Sequence, residues 1–310
     1  MDPHEAVRGR REDFYRRLGQ SLGREAISDD ARGRLLKMSG YQSAIFELLP
    51  FHFLDLFPAV TPEQAVQVAY AGMLYMDYLT LEDAVVDGQP FQGQFVSAAI
   101  GGLIHEEALE IMRSLLGRCE AFWPWLLRYH HEYVAAVIAE RDLQARRPPA
   151  YSAEERDRLA AGKCACGKVS LAALAFLDGA ETPMEALARS YDAFSISSHL
   201  YDDLLDWRSD YAGGLYSYLI VQALVRCAPH HDGADRPTAD ELGRVIYYGG
   251  LAAETLAEAH NYAERALALV QGLGCPAWVA TLRECQTLYA RLSDDLAQLR
   301  ERGLAQRANP

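Results

Sequence analysis

The chain is short of lysine, of regularly spaced cysteine and of long hydrophobic runs. Lysine occurs only at positions 37, 163 and 168, and over 310 residues 30 basic side chains stand against 43 acidic ones, a formal net charge of -13. Phosphate-backbone binding needs a concentrated basic face, and with no Lys/Arg run to build one, nucleic acid is excluded as the main partner. Six cysteines, at 119, 164, 166, 227, 275 and 285, form no regular framework, which excludes a disulfide scaffold. The opening Met1-Asp2-Pro3-His4-Glu5 has no basic-then-apolar signal pattern, so a cytoplasmic protein with reduced thiols is expected. The longest apolar stretches, at 169–177 and 215–225, fall short of the ~18 residues of a membrane span, and no transmembrane helix is expected. Strand-like alternation is also missing.

What is present is helix. Half of the residues are apolar, 24% are charged, and the apolar positions return at three and four among Ala, Leu, Glu and Arg. Thr61-Pro62-Glu63, Ser152-Ala153-Glu154-Glu155, Thr182-Pro183-Met184-Glu185 and Thr238-Ala239-Asp240-Glu241 each place a capping residue ahead of an acidic first turn. Breaks fall at Gly88-Gln89-Pro90, Arg147-Pro148-Pro149, Asp178-Gly179, Ala212-Gly213-Gly214, 229–237 and Gly272-Leu273-Gly274-Cys275-Pro276. No repeat, low-complexity tract or composition shift marks a linker. The expectation is a single all-α domain over 1–310, a bundle of roughly ten or more helices, with looser ends at 1–13 and 301–310.

Two of these helices carry carboxylates on faces that are otherwise apolar. Over 62–87, Asp77, Asp83 and Asp87 join Met73, Met76 and Thr80; Asp83 and Asp87 lie about 40° apart on the wheel, with Asp77 about 80° from Asp87. Carboxylates stacked at i and i+4 repel, and a bridging divalent cation answers the repulsion. In His199-Leu200-Tyr201-Asp202-Asp203-Leu204-Leu205-Asp206-Trp207-Arg208-Ser209-Asp210, four carboxylates share an arc of about 100°, to which Asp192, Ser195 and His199 also belong. A solvated acidic face is the plain reading of one such helix; two in a single apolar chain argue against it. Hard oxygen donors without accompanying Cys or His select Mg²⁺, or Mn²⁺, over zinc, and Mg²⁺ usually completes its shell with water and substrate phosphate. A phosphorylated substrate follows.

Asp202-Asp203-Leu204-Leu205-Asp206 is a full DDxxD motif, and Glu82-Asp83-Ala84-Val85-Val86-Asp87 is a degenerate aspartate-rich one; the pair resembles the signature of the class I isoprenoid synthase superfamily. Asp206-x3-Asp210-x3-Gly214-Leu215-Tyr216 is also similar to the second motif of the squalene and phytoene synthase branch. The resemblance implies a helical bundle around a central active-site cavity, covering nearly the whole chain. It further implies a Mg²⁺ cluster held by the two acidic helices, which binds and ionises an allylic isoprenoid diphosphate. By that resemblance, metal binding is assigned to Asp83, Asp87, Asp202, Asp203, Asp206 and Asp210, and Asp77 remains a cavity-facing candidate without a counterpart. Homodimers are common in the superfamily, and a homodimer is carried as an expectation.

Two of the three lysines sit together in Ala161-Gly162-Lys163-Cys164-Ala165-Cys166-Gly167-Lys168-Val169. An ammonium at the start of an apolar helix acts as a point charge on a diphosphate oxygen. Similarity to the lysine that precedes the second acidic helix of trans-prenyltransferases favours Lys168 over Lys163 for that role. The same stretch nearly spells a phosphate-binding loop, Gly162-x4-Gly167-Lys168, but Val169 replaces the metal-binding Ser or Thr and no buried strand precedes it. Cys164 and Cys166 lack a second Cys/His pair at matching spacing and read as packed thiols. His105-Glu106-Glu107, His130-His131 and His230-His231 read as structural or exposed.

A carbocation left by departing diphosphate requires an apolar, aromatic wall, and Phe51, Phe53, Tyr70, Phe176, Phe194, Tyr201, Tyr247 and Tyr248 supply the material. Chain-elongating prenyltransferases usually carry an Arg-Arg pair after the first acidic motif, whereas Asp87 is followed by Gly88-Gln89-Pro90-Phe91-Gln92-Gly93-Gln94. The expected function is therefore a Mg²⁺-dependent class I terpene synthase that ionises one linear isoprenoid diphosphate and cyclises or eliminates. The alternatives are a prenyl-coupling enzyme, head-to-tail or squalene/phytoene-like, and a non-catalytic helical protein that binds ions or a partner.

Overall fold

The computed structural model describes residues 2–22, 45–86, 94–117, 119–146, 150–179, 183–228 and 236–308, without the side chains of 94–95 and 302–308. Among them there is helix and turn but no strand, as the three-and-four periodicity requires. In chain order the helices are α1 (Pro3–Leu22), α2 (Leu49–Phe53), a 3-10 turn (Leu54–Leu56), α3 (Pro62–Val86), α4 (Gln94–Leu116), α5 (Trp123–Ala145), α6 (Ala153–Lys163) and α7 (Gly167–Asp178). There follow α8 (Met184–Gly213), α9 (Tyr218–Cys227), α10 (Ala239–Gly243), a π turn (Arg244–Tyr248), α11 (Leu251–Val270) and α12 (Pro276–Ala308).

The start signals act as read. Ser152 and Thr238 each form a reciprocal capping box, with Glu155 and Glu241. Thr61 does the same with Gln64, whose backbone N–H donates to the Thr61 hydroxyl at 3.2 Å while its side chain accepts from the Thr61 N–H at 2.9 Å. Thr182 lies outside the described residues. Gly179 ends α7 at φ +71°, a left-handed cap that a side chain would strain. No single described helix is long and apolar enough to cross a membrane.

Contacts cluster the chain into two compact units, residues 1–131, 165–184 and 273–278 in one, and 132–164, 185–272 and 279–310 in the other. In the first unit, α3 packs on α1, α2, α4 and α7 and buries side chains around its whole circumference, the pattern of a central helix. Its approach to α7 is close: a Cβ on Gly72 would meet the Ser170 Oγ at 2.9 Å. Residues 3–13, read as loose, instead form the first half of α1, which buries Val7, Arg11, Phe14 and Tyr15.

The reason is Asp77. The Arg11 guanidinium donates to its carboxylate at 2.7, 2.9 and 3.2 Å, and the Tyr15 hydroxyl donates at 2.8 Å. Asp77 is therefore the buried anchor of α1 on α3, which corrects its reading as a cavity-facing candidate. Arg11 and Asp77 are 1% and 4% exposed, so neither charge tolerates loss of the other.

In the second unit, α8 and α11 are joined by two hydroxyls. Ser190 Oγ donates to the Ala266 carbonyl at 2.8 Å and Ser197 Oγ to the Ala259 carbonyl at 2.7 Å, two turns apart on each helix and in opposite chain directions. Ala259, Ala263 and Ala266 are fully buried, and their small side chains allow that approach. Beyond it, Trp207 and Tyr211 of α8 pack with Leu219, Ile220, Ala223 and Cys227 of α9, and with Leu242, Ile246, Leu251 and Ala252. The acidic face of α8 is thus carried on a helix whose other faces are fixed.

Replacing Asp77 by Ala is expected to destabilise the fold by about 3–5 kcal/mol, the usual effect of stranding a buried partner charge. Urea denaturation measures this as a lowered midpoint at unchanged slope, and the double substitution Arg11→Met with Asp77→Leu is expected to recover most of the loss.

Candidate functional site

The acidic side chains of α8 differ in environment because the helix is half wrapped by its unit. Asp203 is 6% exposed, Asp202 and Asp210 are partly buried, and Asp206 is exposed. Asp203 lies near the N-terminus of α9, where the Leu219 backbone N–H favours its ionised form, and its Oδ2 has no hydrogen-bond partner among the described residues. Burial, against the pull of that N–H and with added repulsion from Asp210 and Asp202, pushes the Asp203 carboxyl up to about 7. Asp210 is also raised, by burial and then by Asp206.

Basic groups surround this face without neutralising it. The Arg156 guanidinium, 2% exposed, is held by Glu258 through two contacts of 2.8 Å and by Asp157 at 2.6 and 2.9 Å, and it lies 4.7 Å over the Tyr218 ring. Lys163 donates to Glu140 Oε2 at 2.7 Å. His199 is pushed down to about 4 by burial and then by Lys163 and Arg156, so the imidazole on the acidic arc is neutral. The Cys164 thiol is pushed up to about 11 by burial, as a packed thiol should be, and all six cysteines are free.

In the other unit, Asp83 lies half-buried in the last turn of α3, and Asp87 lies outside the described residues. One face of α3 beside this motif meets His105 and His130, which the sequence alone reads as structural or exposed. The Tyr75 hydroxyl and His130 Nδ1 are 2.6 Å apart, and the Tyr78 and His105 rings stack at 4.4 Å. Burial lowers the pKa of both His105 and His130. Lys168, 3% exposed in the first turn of α7, places its ammonium 4.9 Å over the Tyr129 ring. The helix before it is α6, not a strand, which removes the phosphate-binding loop. Of the aromatic wall material, Phe53, Tyr70 and Phe194 are buried, whereas Tyr247 and Tyr248 are 39% and 49% exposed on the π turn, Tyr247 against the buried Trp207.

Among the described residues, no three His, Cys, Asp or Glu side chains converge tightly enough to hold an ion alone. The residues of α8 nonetheless fit a hard divalent cation that brings its own oxygen ligands. They are all carboxylates, their neighbours on the helix add to the raised proton affinity of Asp203 and Asp210, and Asp203 has an oxygen with no partner. The residues that sequence reasoning missed, Arg156 and Gln144, act from outside any acidic motif. Gln144 donates through Nε2 to the Tyr216 carbonyl at 3.1 Å and accepts from the Tyr216 N–H at 2.9 Å, pinning the turn between α8 and α9.

In metal-free protein, Asp203 keeps a proton that the unfolded chain releases near 3.8, so its folded state loses relative stability as pH rises from about 4 through 7. Melting curves of Asp203→Asn and of the wild type in chelator are expected to converge at pH 4. The variant should become the more stable of the two above pH 7; a constant difference across that window would contradict the assignment.

No protein-family profile matches the sequence, and no curated protein does. Solved structures do. The octaprenyl pyrophosphate synthase from Helicobacter pylori superposes with a TM-score of 0.72 at 15% identity, over 92% of this chain and 98% of that one. The polyprenyl synthase from Caulobacter crescentus, complexed with calcium and isoprenyl diphosphate, gives 0.68 at 18% identity, over 93% and 96%. The geranylgeranyl pyrophosphate synthetase from the archaeon Geoglobus acetivorans gives 0.67 at 17%, over 89% and 98%. Across nearly its whole length, the chain has the all-α fold of the class I isoprenoid synthase superfamily.

Proposed function

We propose that the chain is an enzyme that binds an isoprenoid diphosphate through divalent metal ions and ionises it. The observation that carries this reading is the carboxylate pattern of α8, in which Asp203 stays buried with one oxygen unpartnered, in a chain that has this fold. Asp202, Asp203, Asp206 and Asp210 are the proposed metal ligands on α8; Asp83 and Asp87 are proposed on the motif resemblance alone. Bound Mg²⁺, or Mn²⁺, supplies positive charge to the oxygens of the departing diphosphate. Lys168 is proposed to add charge to the same group, and Lys163 is the weaker candidate because Glu140 already holds it.

Two outcomes of ionisation compete, and the structural neighbours favour the second over the sequence expectation. A one-substrate terpene synthase is supported by the absence of an Arg-Arg pair in Gly88 to Gln94. A prenyl-coupling enzyme is supported by neighbours named as octaprenyl, polyprenyl and geranylgeranyl synthases, each matched over about nine-tenths of this chain. Whole-length agreement of fold weighs more than one missing dipeptide, so prenyl coupling is the reading adopted.

Purified protein incubated with Mg²⁺ and allylic diphosphates of increasing length is expected to give an extractable product only when isopentenyl diphosphate or a second allylic diphosphate is added. Mass spectrometry of the organic extract and assay of released pyrophosphate make the measurement. Product from one allylic diphosphate alone would return the assignment to a terpene synthase, and no pyrophosphate release under any pairing would indicate the non-catalytic helical protein. Asp203→Ala is expected to abolish turnover while circular dichroism shows unchanged helix content.

A further inference from the structure

The turn that leads from α8 into α9 holds a second orphaned polar atom. Ser217 is the N-cap of α9, with φ -71° and ψ 167°, the conformation in which a serine hydroxyl ordinarily accepts from the second or third helical N–H. Its hydroxyl makes no such bond. The backbone N–H of the second helical residue, Leu219, lies close enough to the Asp203 carboxylate to favour its ionised form, so Asp203 approaches the same helix N-terminus that Ser217 opens. The Ser217 Oγ is buried and has no hydrogen-bond partner among the described residues, like the Oδ2 of Asp203. Native structures seldom leave such atoms unmatched, and a matched pair of them at one helix N-terminus points to a bound group.

The position of Ser217 is also unusually well fixed for a turn. On one side Gln144 makes both backbone hydrogen bonds of Tyr216, and the Arg236 guanidinium lies 5.4 Å over the Tyr216 ring. On the other side the buried Arg156 stacks on Tyr218. The turn begins at Gly214, whose φ of +78° suits glycine, and the Leu215 N–H donates to the Asp210 carbonyl at 2.8 Å. Ser217 is thus held in place at the helix N-terminus that Asp203 approaches, and it carries a proton to donate.

We propose that the Ser217 hydroxyl is a further binding group of this site, donating a hydrogen bond to an oxygen of the metal-bound diphosphate while Asp203 Oδ2 faces the metal. This rests on the reading of α8 as a metal and diphosphate site. A neutral hydroxyl suits the place, because another anion would add to the repulsion among Asp202, Asp203 and Asp210, and another cation would compete with the metal. Arg156, Gln144 and Tyr218 act through the turn as positioning residues.

The test is isothermal titration of inorganic pyrophosphate, in excess Mg²⁺, into the full-length wild type, Ser217→Ala and Ser217→Thr, with melting temperatures recorded without ligand. Binding to Ser217→Ala is expected to weaken about tenfold or more, the usual effect of losing a hydrogen bond to a charged group, and Ser217→Thr to restore most of it. The unliganded melting temperature of Ser217→Ala should equal or exceed that of the wild type, because the hydroxyl makes no bond in the free protein. Equal affinity in wild type and Ser217→Ala would overturn the proposal and leave the metal–diphosphate reading standing. A lowered melting temperature with unchanged affinity would likewise overturn it, by assigning the hydroxyl a structural role. If the wild type itself binds no pyrophosphate with Mg²⁺, the reading of α8 fails and the proposal falls with it.

Discussion

A carboxylate held out of water with half of its hydrogen-bonding capacity unused is the constraint around which the second unit is arranged. Asp203 is 6% exposed, flanked on its own helix by three further aspartates, and its Oδ2 has no hydrogen-bond partner among the described residues. Evolution of the fold for stability alone would replace such a residue with an apolar or amide side chain, since each buried unpaired polar group costs free energy. Its retention is intelligible if a cation completes it. The surrounding structure is organised to keep it in place: α8 cannot slide along α11 because Ser190 and Ser197 bond the Ala266 and Ala259 carbonyls, and α9 cannot withdraw because Arg156 and Gln144 hold its entry.

The first unit shows the contrasting fate of a buried aspartate. Asp77 is as deeply buried as Asp203, but Arg11 and Tyr15 use both of its oxygens, and the result is an anchor between α1 and α3. The two residues are alike in sequence context, each an aspartate within an apolar helix. Partners decide the difference. A fully bonded carboxylate stabilises a fold, whereas one with a spare oxygen in an acidic neighbourhood is suited to a ligand.

This contrast also marks what the sequence could and could not reveal. Periodicity and caps are local, so the all-α fold and the starts at Thr61, Ser152 and Thr238 were legible directly. The acidic arc of α8 was legible because helical geometry alone puts Asp202, Asp203, Asp206 and Asp210 on one side. The partner of Asp77 was not, because Arg11 lies 66 positions earlier in a segment whose charge made it look solvated. Arg156, Gln144 and Ser217 were missed for a related reason: their roles depend on which helix end meets α8, a long-range packing fact with no local signature. Tyr247 and Tyr248 fit an apolar helical pattern, but the chain leaves the α-helix for a π turn there, where both are partly exposed and Tyr247 accepts from the Trp207 indole N–H. The Tyr75–His130 and Tyr78–His105 contacts likewise join three helices whose individual sequences give no sign of the pairing.

The account stands or falls on Asp203 Oδ2 meeting a metal ion in the presence of diphosphate. A crystal structure of the wild-type protein grown with Mn²⁺ and inorganic pyrophosphate, with the ions located by anomalous scattering, tests this directly. The account predicts an ion at bonding distance from Asp203 Oδ2 that also touches a diphosphate oxygen. Ordered pyrophosphate elsewhere, or Mn²⁺ that leaves the Asp203 carboxyl uncoordinated, would contradict it.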